Sequence, residues 1–302
     1  MEYSIYKLKF KTPVHFGKGR LNTSTYTVYA DTLFSAMYKE AITLFGEKEA
    51  KGLYDFCVNG QLKISDTMPY RGKELYVPKP ILNLNIESQD LSYIAFKDID
   101  RFIKGEYTAG DDENKFGESS TRYGVKVNRF VCDDNSEPFN VETFSFEKDC
   151  GIYFIVVADN SEPIGMIDSI IEGLSYTGIG GKLSSGLGKF EYIYEDVGDS
   201  MKKMFNGNYE TYMTLSTSLP KESEIQESLK NASYELVKRS GFVSSANYSK
   251  TGQSVKKKDF YCFKAGSCFK SKFVGDVFDV SDNQIGCHSV YRYAMPIFIG
   301  IK

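Results

Sequence analysis

Residues 152–194 read IYFIVVADNSEPIGMIDSIIEGLSYTGIGGKLSSGLGKFEYIY, and the change of hydrophobic period inside this stretch decides the fold. Ile152 to Val157 is a continuous apolar run, the pattern of a strand buried on both faces. Pro163 then opens a helix, since its missing N–H costs nothing in the first turn, and Ile164, Ile167, Ile170, Ile171 and Leu174 recur at helical spacing. A glycine-rich loop follows, and Lys189 to Tyr194 reads as the closing strand.

Upstream, Tyr6, Leu8 and Phe10 alternate with Lys7 and Lys9, so residues 3–10 form a half-buried strand. Asp31 is placed to cap a helix carrying Leu33, Phe34, Met37, Ala41, Leu44 and Phe45, which ends near Gly46. Pro69, Pro78 and Pro80 punctuate the next stretch, and Gly105 to Glu118 is acidic and loop-like. Residues 118–146 read as a projecting β-hairpin, with Val125 and Val127 on a strand beside exposed cations and Asp133-Asp134-Asn135 as its turn. The order of strand, helix, inserted strands, strand, helix and strand is a ferredoxin-like βαββαβ layout enlarged by insertions.

The polar run Glu195 to Ser200 and the pair Gly207-Asn208 break the pattern, which divides the chain into residues 1–200 and 201–302. Strands are expected at 211–216, 233–238, 259–264, 273–280 and 289–301, with a helix over 222–230. The fold class is therefore α+β, two ferredoxin-like units of which the second is degenerate.

At 302 residues, 41% of them hydrophobic, the chain can bury a sizeable core, and no run approaches the roughly 20 apolar residues of a membrane span. Met1-Glu2-Tyr3-Ser4 lacks the basic and apolar regions of a signal peptide, so the expected compartment is the cytoplasm. Six cysteines without a C-x-x-C pair and two histidines without an H-E-x-x-H arrangement suggest neither zinc nor redox chemistry, and no cofactor is expected. The net charge of -3 hides an asymmetry: nine basic residues and one acid, Asp259, lie between Lys238 and Lys272, which is +8 there and -11 elsewhere. Phe242, Tyr248, Phe260, Tyr261, Phe263 and Phe269 are interleaved with those charges. Cations for phosphates and rings for bases suit a single-strand binder, and a solvated face over core aromatics is the alternative.

The loop Thr177 to Phe190 is not a nucleotide-hydrolysing phosphate loop. Tyr176 stands where a Walker A motif needs its first glycine, and Leu183 replaces the Ser or Thr after Gly181-Lys182. The dinucleotide fingerprint fails too, because the loop follows a helix instead of opening one. Glycines without Cβ can still let N–H groups, Ser184 and Ser185 approach a sugar-phosphate chain while Lys182 and Lys189 neutralise it. A tight connection that packs helix on sheet would use the same residues.

Gly178 to Gly188 closely resembles the C-terminal glycine-rich loop of the RAMP superfamily of CRISPR RNA-binding proteins. Further blocks, His15-Phe16-Gly17-Lys18-Gly19-Arg20-Leu21, Ala30-Asp31-Thr32-Leu33-Phe34, Leu75-Tyr76-Val77-Pro78-Lys79-Pro80 and Arg239-Ser240-Gly241-Phe242-Val243, are similar to the subunit class of type III-A (Csm) complexes that grips the guide RNA 5′ handle. The resemblance implies two ferredoxin-like folds and capping of the crRNA 5′ handle. It also implies contacts with the large signalling subunit and a backbone RAMP subunit, a hairpin thumb near target RNA at the handle junction, and a role in antiviral defence. It carries RNA contact onto Gly178, Gly180, Gly181, Lys182, Ser184, Ser185, Gly186 and Lys189, onto Arg122, Lys126 and Arg129 of the hairpin, and onto His15, Lys18, Arg239 and Lys270. No catalytic residue is expected. His15 as general base of a repeat-RNA endoribonuclease, and a scaffold making only protein contacts, are the alternatives.

Overall fold

A computed structural model of the protein describes residues 1–82, 91–108, 115–126, 137–243, 255–281, 286 and 288–301. The chain opens with β1 (Glu2–Phe10), then the short pair β2 (Phe16–Gly17) and β3 (Ser24–Thr25), followed by α1 (Ala30–Phe45) and α2 (Glu47–Val58). Strands β4 (Leu62–Ile64), β5 (Met68–Arg71), β6 (Glu74–Pro78) and β7 (Tyr93–Ala95) come next, then α3 (Ile99–Ile103). The hairpin β8 (Gly117–Lys126) and β9 (Glu137–Phe146) leads into β10 (Cys150–Ala158), α4 (Ser161–Thr177) and β11 (Phe190–Asp196).

β11, β1, β10 and the β4–β5 pair lie side by side in that order, all antiparallel. Fourth, first, third and second strands of a βαββαβ unit are thus adjacent, with the second broken at Ser65–Thr67. β6 and β7 extend the sheet beyond β5. All nine residues of β10 are buried, as the apolar run requires of a central strand covered on both faces. Its alternation divides two cores: Ile152, Phe154 and Val156 face α1, α2 and α4, while Tyr153, Ile155 and Val157 face the other side. Each buried Ile or Phe contributes on the order of 1.5–3 kcal/mol.

α4 starts where Asn160 accepts the Glu162 N–H at 3.0 Å and stops where Gly178, at φ 92°, returns its N–H to Leu174 O. α1 corrects the expectation of an Asp31 cap. Asp31 lies inside the helix and is buried, and the Ala30 N–H is satisfied instead by Asp66 Oδ1, 2.7 Å away across the chain. Asp66 also accepts from Thr217 N–H and hydroxyl, and burial pushes its carboxyl up to about 6 despite those donors. α2, absent from the sequence expectation, follows Gly46 directly and buries Ala50, Leu53 and Cys57.

The chain then forms α5 (Asp199–Asn206), β12 (Tyr212–Thr214), α6 (Ile225–Ser228), β13 (Leu236–Arg239), β14 (Phe260–Phe263), β15 (Cys268–Phe269), β16 (Asp276–Asp279), β17 (Tyr291–Ala294) and β18 (Phe298–Gly300). α5 occupies part of the stretch read as a break; only Met201 and Phe205 are buried, too few apolar positions to betray a helix. The single strand expected over 289–301 is two, β17 and β18, separated by Met295-Pro296-Ile297.

β18, β12 and β15 pair in that order, and Ser233 bridges to Cys268 on the outer side of β15. The strand order of the first unit returns here without long helices. Apolar side chains of the second unit are covered by the first: Val277, Tyr293 and Met295 join the helix-side core, and Met213, Leu215, Ile297 and Ile299 join the opposite one. Asp31 fixes the join, held by Arg239 at 3.0 Å and by Arg292, whose side chain is 3% exposed. Cys57, Cys150, Cys262 and Cys268 are buried free thiols, and burial drives their pKa upward. No described helix is long and apolar enough to cross a membrane, and the described residues hold no cluster of three metal-ligating side chains.

Candidate nucleic-acid interface

The glycine-rich loop closes on itself like a clasp. Ile179, anchored in the core, donates its N–H to Gly188 O at 3.0 Å, and Gly188 donates to Pro13 O at 3.0 Å. A Cβ on Gly188 would lie 2.2 Å from Ile179 O, and its φ of 78° is left-handed, so only glycine permits this approach. Lys182 takes φ 60° at the tip, and Leu183–Ser185 form one 3-10 turn. Ser185 and Gly186 N–H groups close that turn, which leaves the amides of Lys182, Leu183 and Ser184 without a backbone acceptor among the described residues.

His15 joins this loop to two others. Its carbonyl accepts from Gly181 N–H at 2.9 Å, and its Nδ1 lies 2.7 Å from Glu142 O on β9. A carbonyl only accepts, so Nδ1 carries the proton. A Cβ on Gly17 would stand 3.0 Å from His15 Nε2, and one on Gly181 2.8 Å from His15 Cδ2; the ring fits because both neighbours lack side chains. Glu142 N–H also donates to Leu21 O, and its carboxylate accepts from Ser24 N–H. Val14 bridges to Phe144 nearby. The 15–25 loop, the β8–β9 hairpin and the glycine-rich loop therefore share one base.

Around that base the polar groups point outward. Lys18, Arg20, Ser184, Ser185, Gly186 and Lys189 are exposed, and Arg122 is exposed on β8 beside Tyr123, which is 82% exposed. Lys182 is half-buried with its Nζ 5.0 Å from the centre of the Phe139 ring on β9. Exposed cations, unengaged amides and a projecting ring are what a phosphate backbone and an unstacked base would meet.

A RAMP superfamily model matches residues 7–191, and a model described as CRISPR Csm4 C-terminal domain matches residues 207–301. The chain belongs to the Csm4 family. A Csm4 protein of the CRISPR system of Mycobacterium tuberculosis is 31% identical over 300 residues, covering 95% of this chain and 94% of the relative. One from Streptococcus thermophilus is 28% identical over 320 residues, covering 100% of both. In fold, a chain of a crystal structure of a Csm3–Csm4 subcomplex of a type III-A CRISPR-Cas interference complex superposes with a TM-score of 0.69, at 17% identity and 100% coverage of both. A chain of a Csm1–Csm4 cassette bound to AMPPNP superposes with a TM-score of 0.63, at 18% identity, covering 100% of this chain and 98% of that one.

In this Csm4-family chain, His15, Lys18, Arg122, Gly178, Gly180, Gly181, Lys182, Ser184, Ser185, Gly186 and Lys189 fall in or beside the three-loop base. Lys126 ends β8, and Arg129 lies outside the described residues, as do the Asp133-Asp134-Asn135 turn and residues 109–114 of the acidic stretch. Two residues fall elsewhere. Arg239 grips Asp31 and Thr32 Oγ1 and lies 4.1 Å from the Tyr29 ring centre, while Lys270 donates to Thr211 Oγ1 at 2.9 Å in the second unit. The aromatics of the basic segment divide: Phe263 and Phe269 are core, whereas Phe242 and Tyr261 are 63% and 55% exposed. Sequence reading missed Glu142 and Phe139, because nothing in their spacing announces that β9 docks on the 15–25 loop far upstream through Glu142 and on the glycine-rich loop downstream through Phe139.

His15 is a poor general base in this setting. It is 5% exposed, and its imidazole is wedged between Gly17 and Gly181. His288, the other histidine, is exposed and engaged with Ser289 O just before β17. The arrangement describes a positioning residue that holds three loops in register.

Proposed function

We propose that this chain is a non-catalytic crRNA-binding subunit of a type III-A CRISPR effector complex, one that caps the 5′ handle of the guide. The observation that carries the reading is the shared base of the glycine-rich loop, the 15–25 loop and the β8–β9 hairpin, from which free amides and at least four exposed cations project. Amides of the 182–184 tip and Lys18, Lys182 and Lys189 hold handle phosphates. The hairpin, with Arg122 and Tyr123, reaches the junction where target RNA begins to pair. By analogy with the Csm3–Csm4 and Csm1–Csm4 assemblies, the chain links a large Csm1-type subunit to a Csm3-type backbone subunit in the cytoplasm.

The test is ultraviolet crosslinking with mass-spectrometric mapping on the assembled complex. Handle crosslinks are expected at Gly178–Lys189 and on β8. If neighbouring subunits crosslink normally and this chain does not, its role is that of a protein-contacting scaffold.

A further inference from the structure

Three tyrosines meet where α1, α2 and β17 adjoin. Tyr54 stacks on Tyr291 with ring centres 4.2 Å apart and planes 24° from parallel, and Tyr38 meets Tyr291 edge-on at 5.5 Å. Phe34 stacks on Tyr38 and on Tyr293, so the trio caps an aromatic column rooted in the core. The three rings are half-buried, and among the described residues none of their hydroxyls has a hydrogen-bond partner.

The surroundings of these rings are acidic. Burial first, then Tyr291, Asp55, Glu47 and Tyr54, push the Tyr38 hydroxyl up to about 12. Burial, Tyr291, Asp276, Asp279 and Asp55 raise that of Tyr54. Glu47, Asp55 and Asp279 are exposed and no described ion pair engages them; Asp279 Oδ1 accepts from the Ser281 N–H at 2.9 Å, while Glu47 and Asp55 have no described side-chain partner. Asp276 is 3.8 Å from Lys221, and both line an open groove of about 580 Å³ with Glu222, Ser223 and Phe278.

Ring faces are electron-rich, and three carboxylates without a described ion pair, Glu47, Asp55 and Asp279, add a field that attracts cations and repels phosphate. A guanidinium suits the site best: planar, weakly hydrated, and able to pair a ring face with the unengaged carboxylate of Asp55. The groove beside Asp276 gives the rest of such a segment room to lie. We infer that the Tyr38–Tyr54–Tyr291 junction is a docking surface for an arginine-bearing segment of a neighbouring protein subunit. This surface shares no residue with the glycine-rich loop, so it stands apart from the RNA reading.

The experiment assembles the full chain with the Csm1-type and Csm3-type subunits of its own complex and measures the affinity for each. Asp55→Lys reverses an exposed carboxylate that no described hydrogen bond or ion pair engages, and Tyr54→Leu keeps apolar volume while removing the ring face. The charge reversal is expected to weaken one of the two subunit contacts at least tenfold, and Tyr54→Leu to weaken the same contact roughly two- to fivefold. Unchanged affinity for both subunits in the charge-reversed chain overturns the inference, as does a gain in RNA binding without change in assembly. Handle crosslinks, followed in parallel, report separately on the capping function.

Discussion

The loop at 178–189 leaves the amides of Lys182, Leu183 and Ser184 without a backbone acceptor and holds Lys189 toward solvent, whereas the basic segment at 238–272 turns four of its cations onto carboxylates of the same chain. Lys238 and Lys256 share Asp259, Lys264 pairs with Glu235, and Arg239 lies on Asp31. Both stretches are rich in the groups that nucleic-acid binding requires. What separates them is the company each keeps: among the described residues no ion pair engages Lys182 or Lys189, while three cations of the segment meet Asp259 and Glu235 of their own unit and Arg239 crosses to Asp31 of the first. A density of cations in sequence therefore measures potential, and the fold decides how much of it remains free for a ligand.

The largest effect that sharpens this contrast is expected from Asp31→Ala. It strips Arg239 and the almost fully buried Arg292 of their carboxylate at the join between the units. Removing one partner of such a buried cluster costs about 3–5 kcal/mol, because the remaining guanidinium charge is left uncompensated. Chemical denaturation of the purified chain reads this loss, and handle crosslinks to the glycine-rich loop should persist in whatever assembles. Loss of those crosslinks with stability nearly unchanged would make Arg239 an RNA ligand and break the contrast.

Much of this was legible in the chain itself. The apolar run at 152–157 and the isoleucine spacing after Pro163 placed β10 and α4 within a few residues, and the alternation at 3–10 placed β1. α2 and α5 were not, because each follows a glycine that reads as a terminus and each buries only two or three side chains. The candidate site was half legible. Glycines, serines and lysines mark the loop, but the binding of His15 to Glu142 O depends on a contact between residues 127 positions apart, which no local pattern encodes. Asp31 misled for a related reason: an acid in a first helical turn looks like a cap, and only the return of Arg239 and Arg292 makes it an ion pair.

An intermediate effect belongs to the clasp. Gly188→Ala sets a Cβ 2.2 Å from Ile179 O on a residue at φ 78°. Gly186→Ala meets the same φ with nothing within 4 Å. The left-handed conformation alone costs roughly 1–2 kcal/mol for a residue with a Cβ. Gly186→Ala should lose about that much stability and Gly188→Ala more, because its clash adds to the strain; only Gly188→Ala should pry the loop open, lowering handle retention by the complex about tenfold or more at fixed salt. Equal losses of retention would mean that strain, not the clasp, sets the geometry of the amides.

The smallest effect is the most diagnostic. Lys238 and Lys264 sit at the surface in ion pairs with Asp259 and Glu235, each half-exposed, where water and salt screen the attraction. Replacing both by alanine should leave the melting temperature unresolved from wild type. It should also leave unchanged the slope of log affinity for handle RNA against log salt, measured on the complex. Lys182→Ala with Lys189→Ala should instead make that slope shallower by about 1.4, since each phosphate released from a lysine contributes roughly 0.7 for single-stranded nucleic acid. The two double variants remove the same formal charge, so a general electrostatic attraction would shift both slopes alike. Only a phosphate path through the glycine-rich loop separates them.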